Sequence, residues 1–488
     1  MKTKSFFLLM FFLPIVTNAQ SSFQKFIAHV NSLSGSTQEK TAAVDSFMNY
    51  ARSKGIPFIE QDTAYFIYRG NVQYAAVTGD FNSWTPAKSP MKHIPGTDFF
   101  YFAQKFEQDA RVEYKLKPDN GSEIQDPENP HKVSGGFGFN SELAMPGYVQ
   151  PWEIEYKSSI PHGSLNEKSL YSTYAKRTYR LKVYLPEEYS YNLEKHYPVI
   201  YLHDGFDYID YGRALNVLDN LIDSAKIEPV IAVFLQYYDR ADDYTSKNRQ
   251  NFRKFVSEEL VSFIDSDYRT ERTSSSRVIA GVSSGANISL LTACFNSSVF
   301  GKCGIFTGAF NVNNYEALNT LSQLSLLPVK FFSVRATYDF WFSYDMNRLK
   351  QILDSKGYEY KWTELPQGHT WGTWRSTLDE MLAYFFPKTA SEVRTKDSAP
   401  GNGFSLQQNY PNPFNPSTEI LFSIPEKSFA ELKVYDLLGR EVSCLFAGEL
   451  KEGLHSAHFD AAGLSSGIYY YTLKAGCLMQ TRKMMLLQ

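Results

Sequence analysis

The chemistry available to this sequence rests on one serine, one histidine and a small choice of carboxylates. The serine is Ser283, within Arg277-Val278-Ile279-Ala280-Gly281-Val282-Ser283-Ser284-Gly285-Ala286-Asn287. A short apolar run enters Gly-x-Ser-x-Gly and a helix-forming segment, 288–293, follows. This is the strand, sharp turn and helix of a nucleophile elbow. Side chains at Gly281 and Gly285 would collide with the neighbouring strand or helix. The turn holds the Ser283 hydroxyl clear of the sheet, where the helix N-terminus favours negative charge. The same pattern also arises by chance as a Ser/Gly-rich turn, so the chemistry depends on partners elsewhere in the chain.

A serine on such an elbow takes its partners in the order serine, acid, histidine. Nine histidines occur, and between Ser283 and the last hundred residues there is one, His369, in Pro366-Gln367-Gly368-His369-Thr370-Trp371. It follows an expected strand, 360–365, so its ring can reach the sheet edge that carries the elbow. The acid belongs after the preceding strand, where Val334-Arg335-Ala336-Thr337-Tyr338-Asp339 places Asp339. Asp345 is the runner-up, inside the next helical stretch, and Glu364 lies within a strand. In this arrangement His369 is the general base, Asp339 fixes its tautomer, and the backbone N–H of Ser284 faces the developing oxyanion. A second donor comes from the loop at Gly205-Phe206. Water deacylates the enzyme, and neither metal nor cofactor is required.

These residues need a mostly parallel sheet to position them. From about residue 163 to 387 strands and helices alternate, the pattern of an α/β layer. Expected strands are 179–185, 198–203, 230–235, 277–282, 329–334 and 360–365, with helices over 252–267 and 345–356. The continuous apolar run Val230-Ile231-Ala232-Val233-Phe234-Leu235 suits a strand buried on both faces.

The flanking regions differ in rhythm. Lys2 and Lys4 precede the apolar run 6–16, and Thr17-Asn18-Ala19 supplies small residues, so 1–19 reads as a secretory signal. Residues 20–55 carry helical periodicity with a break near Gly35. Residues 56–150 alternate in short stretches broken by turn residues, as a small β-sandwich does. Residues 388–403 are small and polar, a linker by composition, and 404–488 read as a second β-sandwich.

Three stretches of the chain resemble known families. The catalytic region, through Tyr201-Leu202-His203-Asp204-Gly205, residues 259–269, the elbow and residues 368–375, resembles the esterase family that includes enterochelin esterases, feruloyl esterases, esterase D and mycolyltransferases. The resemblance implies an α/β-hydrolase fold between two immunoglobulin-like β-sandwiches. Ala76-Val77-Thr78-Gly79-Asp80-Phe81-Asn82-Ser83-Trp84 resembles the start of glycogen-binding-type modules, whose tryptophans stack on sugars. Trp84 matches the first of these and no second accompanies it. Packing in the core or between domains is therefore the expectation for Trp84, with glycan contact as the alternative. Residues 408–418, 434–442, 464–470 and Arg482-Lys483-Met484 resemble the C-terminal sorting domain of the type IX secretion system. That resemblance implies the secretion machinery as a partner, with passage through the periplasm to the cell surface or medium.

Composition narrows the classes. A net charge of −3 with no long basic run gives nucleic-acid binding no electrostatic support, and no run after the signal suits a membrane span. Four cysteines, Cys294, Cys303, Cys444 and Cys477, show no metal-ligand spacing. Pairing of Cys294 with Cys303 or Cys444 with Cys477 is one expectation, and buried thiols are the other. The expected protein is a secreted serine carboxylesterase acting on feruloyl or acetyl esters of carbohydrate. The alternatives are a siderophore esterase of the enterochelin type and an inactive glycan-binding surface protein.

Overall fold

The computed structural model describes residues 21–34, 36–119, 121–136, 138–388, 404–476 and 478–487. The expected signal, the break at Gly35, the linker apart from Lys388, and Cys477 lie outside these residues. The chain divides into two compact units, Met1–Lys388 and Thr389–Gln488.

An eight-stranded sheet organises the first unit. Its strands are β1 (Ser164–Ser172), β2 (Arg177–Leu185), β3 (Val199–His203), β4 (Ile231–Leu235), β5 (Arg277–Val282), β6 (Lys302–Phe306), β7 (Lys330–Ala336) and β8 (Tyr360–Leu365). They lie in the order β8-β7-β6-β5-β3-β4-β2-β1. From β8 to β4 all pairs are parallel, while β1 and β2 join antiparallel at one edge. Strands β3, β4 and β5 are buried throughout, and a separate apolar core covers each face of the sheet. Consecutive parallel strands need crossover connections, which sets helices on both faces.

Two strands carried no clear sequence signal. β1 is an edge strand, largely exposed, without a continuous apolar stripe. β6 is short and holds Gly304, where an added side chain would run into Met381 and Ala280. The helix expected over 252–267 forms within 249–267 and passes through a wider π-type turn at Phe255–Leu260.

Ahead of this layer stands a sandwich of two four-stranded sheets. One contains Phe58–Glu60, Thr63–Arg69, Phe99–Lys105 and Lys92–His93; the other contains Ala75–Gly79, Arg111–Pro118, Phe139–Ala144 and Lys132–Ser134. Strand alternation assigns the two faces of the first sheet. Ala64, Phe66 and Phe100 meet Val77, Val112, Tyr114 and Leu116 inside the sandwich. Tyr65, Ile67 and Phe99 face outward, where the helices Ser22–Ser32 and Thr37–Lys54 cover them with Phe23, Phe26, Val44 and Phe47. This sandwich and the α/β layer belong to the same compact unit.

The second unit, by itself, is a three-stranded sheet (Ser405–Leu406, Ser417–Ile424, Gly453–Asp460) and a four-stranded sheet (Glu441–Leu450, Ser428–Tyr435, Gly467–Ala475, Leu478–Leu486). They share a core of Ile420, Phe422, Leu432, Tyr471 and Met484. The buried Tyr471 hydroxyl donates to the Gln407 carbonyl at 2.7 Å and accepts from the Asn409 N–H at 2.8 Å, pinning the opening segment.

Cys294 and Cys303 are both buried free thiols, so the pairing raised for them does not occur. Burial pushes the Cys294 thiol up to about 12 and the Cys303 thiol well above its ordinary value. Cys444 is free and exposed. Among the described residues no helix is long and apolar enough to cross a membrane.

Candidate active site

Ser283 ends β5 and begins the helix Ser284–Phe295, with φ 54° and ψ −122°. That left-handed φ is costly for a residue with a side chain, and the backbone around it holds it in place. Its N–H donates to the Phe306 carbonyl at 3.0 Å, and its carbonyl accepts from Ala286 and Ala309, each at 3.1 Å. A side chain at Gly281 would overlap the Gly285 backbone, and one at Gly285 would strike the Asp204 carboxylate. The elbow therefore demands glycine at both positions, for two different neighbours.

His369 follows β8 and Asp339 follows β7. His369 Nδ1 lies 2.7 Å from Asp339 Oδ2. A carboxylate accepts, so Nδ1 carries the proton and Nε2 is left with its lone pair. The Thr307 hydroxyl sits 3.2 Å from the same Nδ1 and accepts from Trp374 Nε1 at 2.8 Å. Trp374 meets the imidazole edge to face at 5.2 Å, and Phe342 lies against it at 4.9 Å. These contacts leave the ring little freedom to turn. The other two carboxylates are occupied elsewhere: Asp345 Oδ2 accepts from the Phe310 N–H at 2.7 Å, and Glu364 pairs with Arg335 at 2.8 Å.

Ser283 and His369 both open into one pocket of about 630 Å³. Asp204 also lines it, buried and in a left-handed turn with φ 58°. Its carboxylate takes a two-pronged contact from Arg240, Nε to Oδ1 at 2.7 Å and Nη2 to Oδ2 at 3.0 Å. Beside it, burial and the Asp204 charge push Asp207 up to about 6. Gly205 and Phe206 start the short helix Gly205–Asp210 but do not line the pocket. The Phe206 ring instead lies under Lys182, 4.6 Å from its Nζ. A side chain at Gly205 would strike the β4 backbone. Ser284 is the first residue of the elbow helix and is likewise absent from the pocket lining.

The rest of the pocket wall comes from the preceding sandwich. Trp84, Glu113, Lys115, Glu123 and Asn140 line it together with Trp341 and Trp371. Trp84 is half-buried with its Nε1 donating to Asp80 Oδ1 at 3.0 Å. It therefore lies outside the sandwich core, where the sandwich meets the pocket shared by Ser283 and His369. Sequence reasoning did not place Glu113 and Lys115 here. They alternate with buried apolar residues along Arg111–Pro118, which reads as an ordinary solvent-facing side of a strand.

A second histidine sits at the same sheet edge with a different fate. His203 ends β3, fully enclosed, its Nδ1 2.7 Å from the Ser289 hydroxyl. Burial lowers its pKa to about 3. It stays neutral and is cut off from the pocket.

An α/β sheet with this strand order and a serine on a strained strand-to-helix turn defines an α/β-hydrolase. Residues 172–318 match the family described as "Putative esterase", and 408–487 match the secretion system C-terminal sorting domain. One segment of the chain is thus similar to the esterase family, and its C-terminal segment to a secretion sorting domain. The esterase match includes the elbow and ends before Asp339 and His369.

Among curated proteins, an uncharacterized protein of Bacillus subtilis (strain 168), YjcH, is 29% identical over 237 residues, 45% of this chain and 97% of its own length. An endo-1,4-beta-xylanase/feruloyl esterase of Xylanibacter ruminicola is 27% identical over 208 residues, 40% of this chain and 28% of that protein. Among solved structures, the enterobactin esterase of Shigella flexneri superimposes with a TM-score of 0.56 at 20% identity. That match covers 66% of this chain and 92% of the other. The α/β layer alone cannot supply such a share, so the likeness of fold extends into the preceding region.

Proposed function

We propose that this protein is an exported serine carboxylesterase that works through an acyl-enzyme, with Ser283 as nucleophile, His369 as general base and Asp339 as its orienting acid. The observation that carries this reading is the Asp339–His369 pair, whose ring opens with Ser283 into a single pocket. His369 Nε2 takes the Ser283 proton as the hydroxyl attacks the ester carbonyl, then returns it to the leaving alcohol. Asp339 stabilises the imidazolium formed in between. The Ser284 N–H, at the start of the elbow helix, is the first oxyanion donor; the Gly205-Phe206 loop, expected to supply the second, stands outside the pocket lining. One such donor is worth about 10²–10³ in rate. Water then repeats the sequence on the acyl-enzyme.

The pocket wall supports an ester of a carbohydrate, with a feruloyl or acetyl acyl group. Trp84 and Trp341 offer flat apolar faces, while Asn140, Glu123 and Lys115 offer hydrogen bonds, a mixture suited to sugar rings. The feruloyl esterase relative in Xylanibacter ruminicola points the same way. The sorting domain directs the enzyme through the type IX machinery to the cell surface or medium, after passage through the periplasm.

The test is turnover and labelling. Ser283→Ala and His369→Ala should each lose nearly all hydrolysis of p-nitrophenyl acetate, and Asp339→Asn about 10⁴-fold. A fluorophosphonate should label the wild type once and Ser283→Ala not at all. Substantial turnover by folded Ser283→Ala, or a label on another residue, would refute the assignment. Rates on a feruloylated saccharide, acetylated xylan and a ferric tris-catecholate ester decide the substrate class.

A further inference from the structure

The loops bearing Asp339 and His369 do not rest on the α/β layer alone. The Arg111 N–H donates to the Pro366 carbonyl at 3.1 Å, and Arg111 bridges Gln367 in parallel, so the sandwich strand Arg111–Pro118 runs alongside the histidine loop. The Arg111 guanidinium, wholly buried, reaches the Thr370 hydroxyl at 3.2 Å, one residue beyond His369. It is itself held by Glu113 at 2.9 Å and by Glu142, whose Oε2 accepts from Nε at 2.7 Å. Glu142 also lies 4.0 Å from Arg375 on the helix that follows the histidine.

Two glycines bracket the base and fit these charges. A methyl group at Gly368 would overlap the Asp80 carboxylate, and one at Gly372 would overlap the Arg111 guanidinium. Neither glycine has a positive φ, so their backbones tolerate alanine and the demand is for space alone. The acid loop is held in the same way. The Tyr338 hydroxyl donates to Glu107 Oε2 at 2.7 Å, its ring meets Phe106 at 5.8 Å, and its N–H donates to Gln367 at 3.0 Å.

We infer that the N-terminal sandwich is a catalytic jig, in which Arg111 is a positioning residue that sets His369 against Ser283. The inference rests on the assignment of His369 as the base and adds to it what fixes the base in place. Within the loop, Thr370 is held from the sandwich side, and Gly368 and Gly372 let Asp80 and Arg111 press directly on the backbone. Arg111 can serve because its fork satisfies Glu113, Glu142 and Thr370 together, which a lysine cannot do. Displacing a catalytic group by about 1 Å costs on the order of 10²-fold in rate.

The experiment measures kcat and KM for p-nitrophenyl acetate, a substrate too small to need the sandwich wall. Three full-length variants are compared: Arg111→Lys, Gly372→Ala and Arg69→Met. Arg69 belongs to the same sandwich but pairs with Asp45 and Asp98, away from the loops. Arg111→Lys and Gly372→Ala should each lower kcat roughly 10–100-fold with KM changed less than about threefold. The fluorophosphonate labelling rate of Ser283 should fall in parallel. Arg69→Met should keep wild-type kcat even if its melting temperature drops further.

Wild-type kcat in folded Arg111→Lys and Gly372→Ala would overturn the inference. So would an equal loss in Arg69→Met, which would mark a general effect of sandwich stability. Ser283→Ala and His369→Ala run alongside. Activity surviving in them defeats the catalytic assignment itself, and its loss in them with wild-type rates in the Arg111 and Gly372 variants defeats the positioning role alone. If Arg111→Lys fails to fold, Gly372→Ala decides.

Discussion

The chain holds two β-sandwiches of similar size that treat charge in opposite ways. The N-terminal one buries Arg111, Glu113 and Asp80 almost wholly, Arg111 and Asp80 against the loop that bears His369 and Glu113 in the pocket wall. The C-terminal one keeps its ion pairs at the surface, as in Lys427–Glu449 and Arg440–Asp436. Buried ion pairs are costly to desolvate and add little to stability over a well-packed apolar seam. Here they supply directional contacts that a greasy interface would lack. The first sandwich is built into the enzyme, whereas the second belongs to a compact unit of its own.

The largest expected effect separates the two by deletion. Removing residues 404–488 should leave kcat and KM for p-nitrophenyl acetate within about twofold. Removing 21–146 should cost at least about 10²-fold, since the catalytic loops lose their support. A tailless enzyme with little turnover, or full activity without the N-terminal sandwich, would break the contrast. In the secreting host the tailless protein should also stay behind in the cells.

A smaller effect concerns the wall the first sandwich adds to the pocket. Trp84→Ala should raise KM for a feruloylated saccharide roughly tenfold, about 1.4 kcal/mol, in the range of an aromatic contact. Retention on insoluble polysaccharide should not change, because the indole faces the cleft. Loss of retention with an unchanged KM would restore the view of the sandwich as a separate glycan-binding module.

The smallest effect is a matter of sign. In the first unit, burial and the Asp204 charge raise Asp207 to about 6. A raised carboxyl contributes stability that is fully present below its unfolded value, near 3.8, and lost as pH rises through 6. Asp207→Asn should therefore gain on the wild type between pH 4 and 7, by about 1 kcal/mol after allowing for screening of this half-buried group. In the tail, Asp436 is lowered chiefly by the Arg440 backbone N–H, so its contribution is lost as pH falls. Asp436→Asn should lose on the wild type as pH rises through 4. Thermal melts of each pair across that range show whether the two slopes differ in sign.

What could be read from sequence alone follows from range. The elbow was legible because its constraint is local: Gly281 and Gly285 answer to neighbours within or beside one turn. Asp339 and His369 were legible because parallel strands deliver their C-terminal ends to one edge, so position after a strand stands in for position in space. The sandwich's part in the pocket left no such trace. Arg111 and Thr370 are separated by 259 positions, and Arg111, Glu113 and Lys115 carry the alternation of a solvent-facing strand side. The available clue was Gly368 and Gly372 on either side of the histidine, which a loop needing only flexibility would not place so regularly.

The cysteines give the two units an unequal chemical visibility. Cys294 and Cys303 are enclosed by the core with their thiolates strongly disfavoured, and thiol reagents attack the thiolate. Cys444 lies open on the tail. Of these three cysteines, a maleimide dye would therefore mark the tail one and leave the enzyme unmodified. A single labelling step would report whether the tail is still attached, while turnover in the same sample reports on the enzyme.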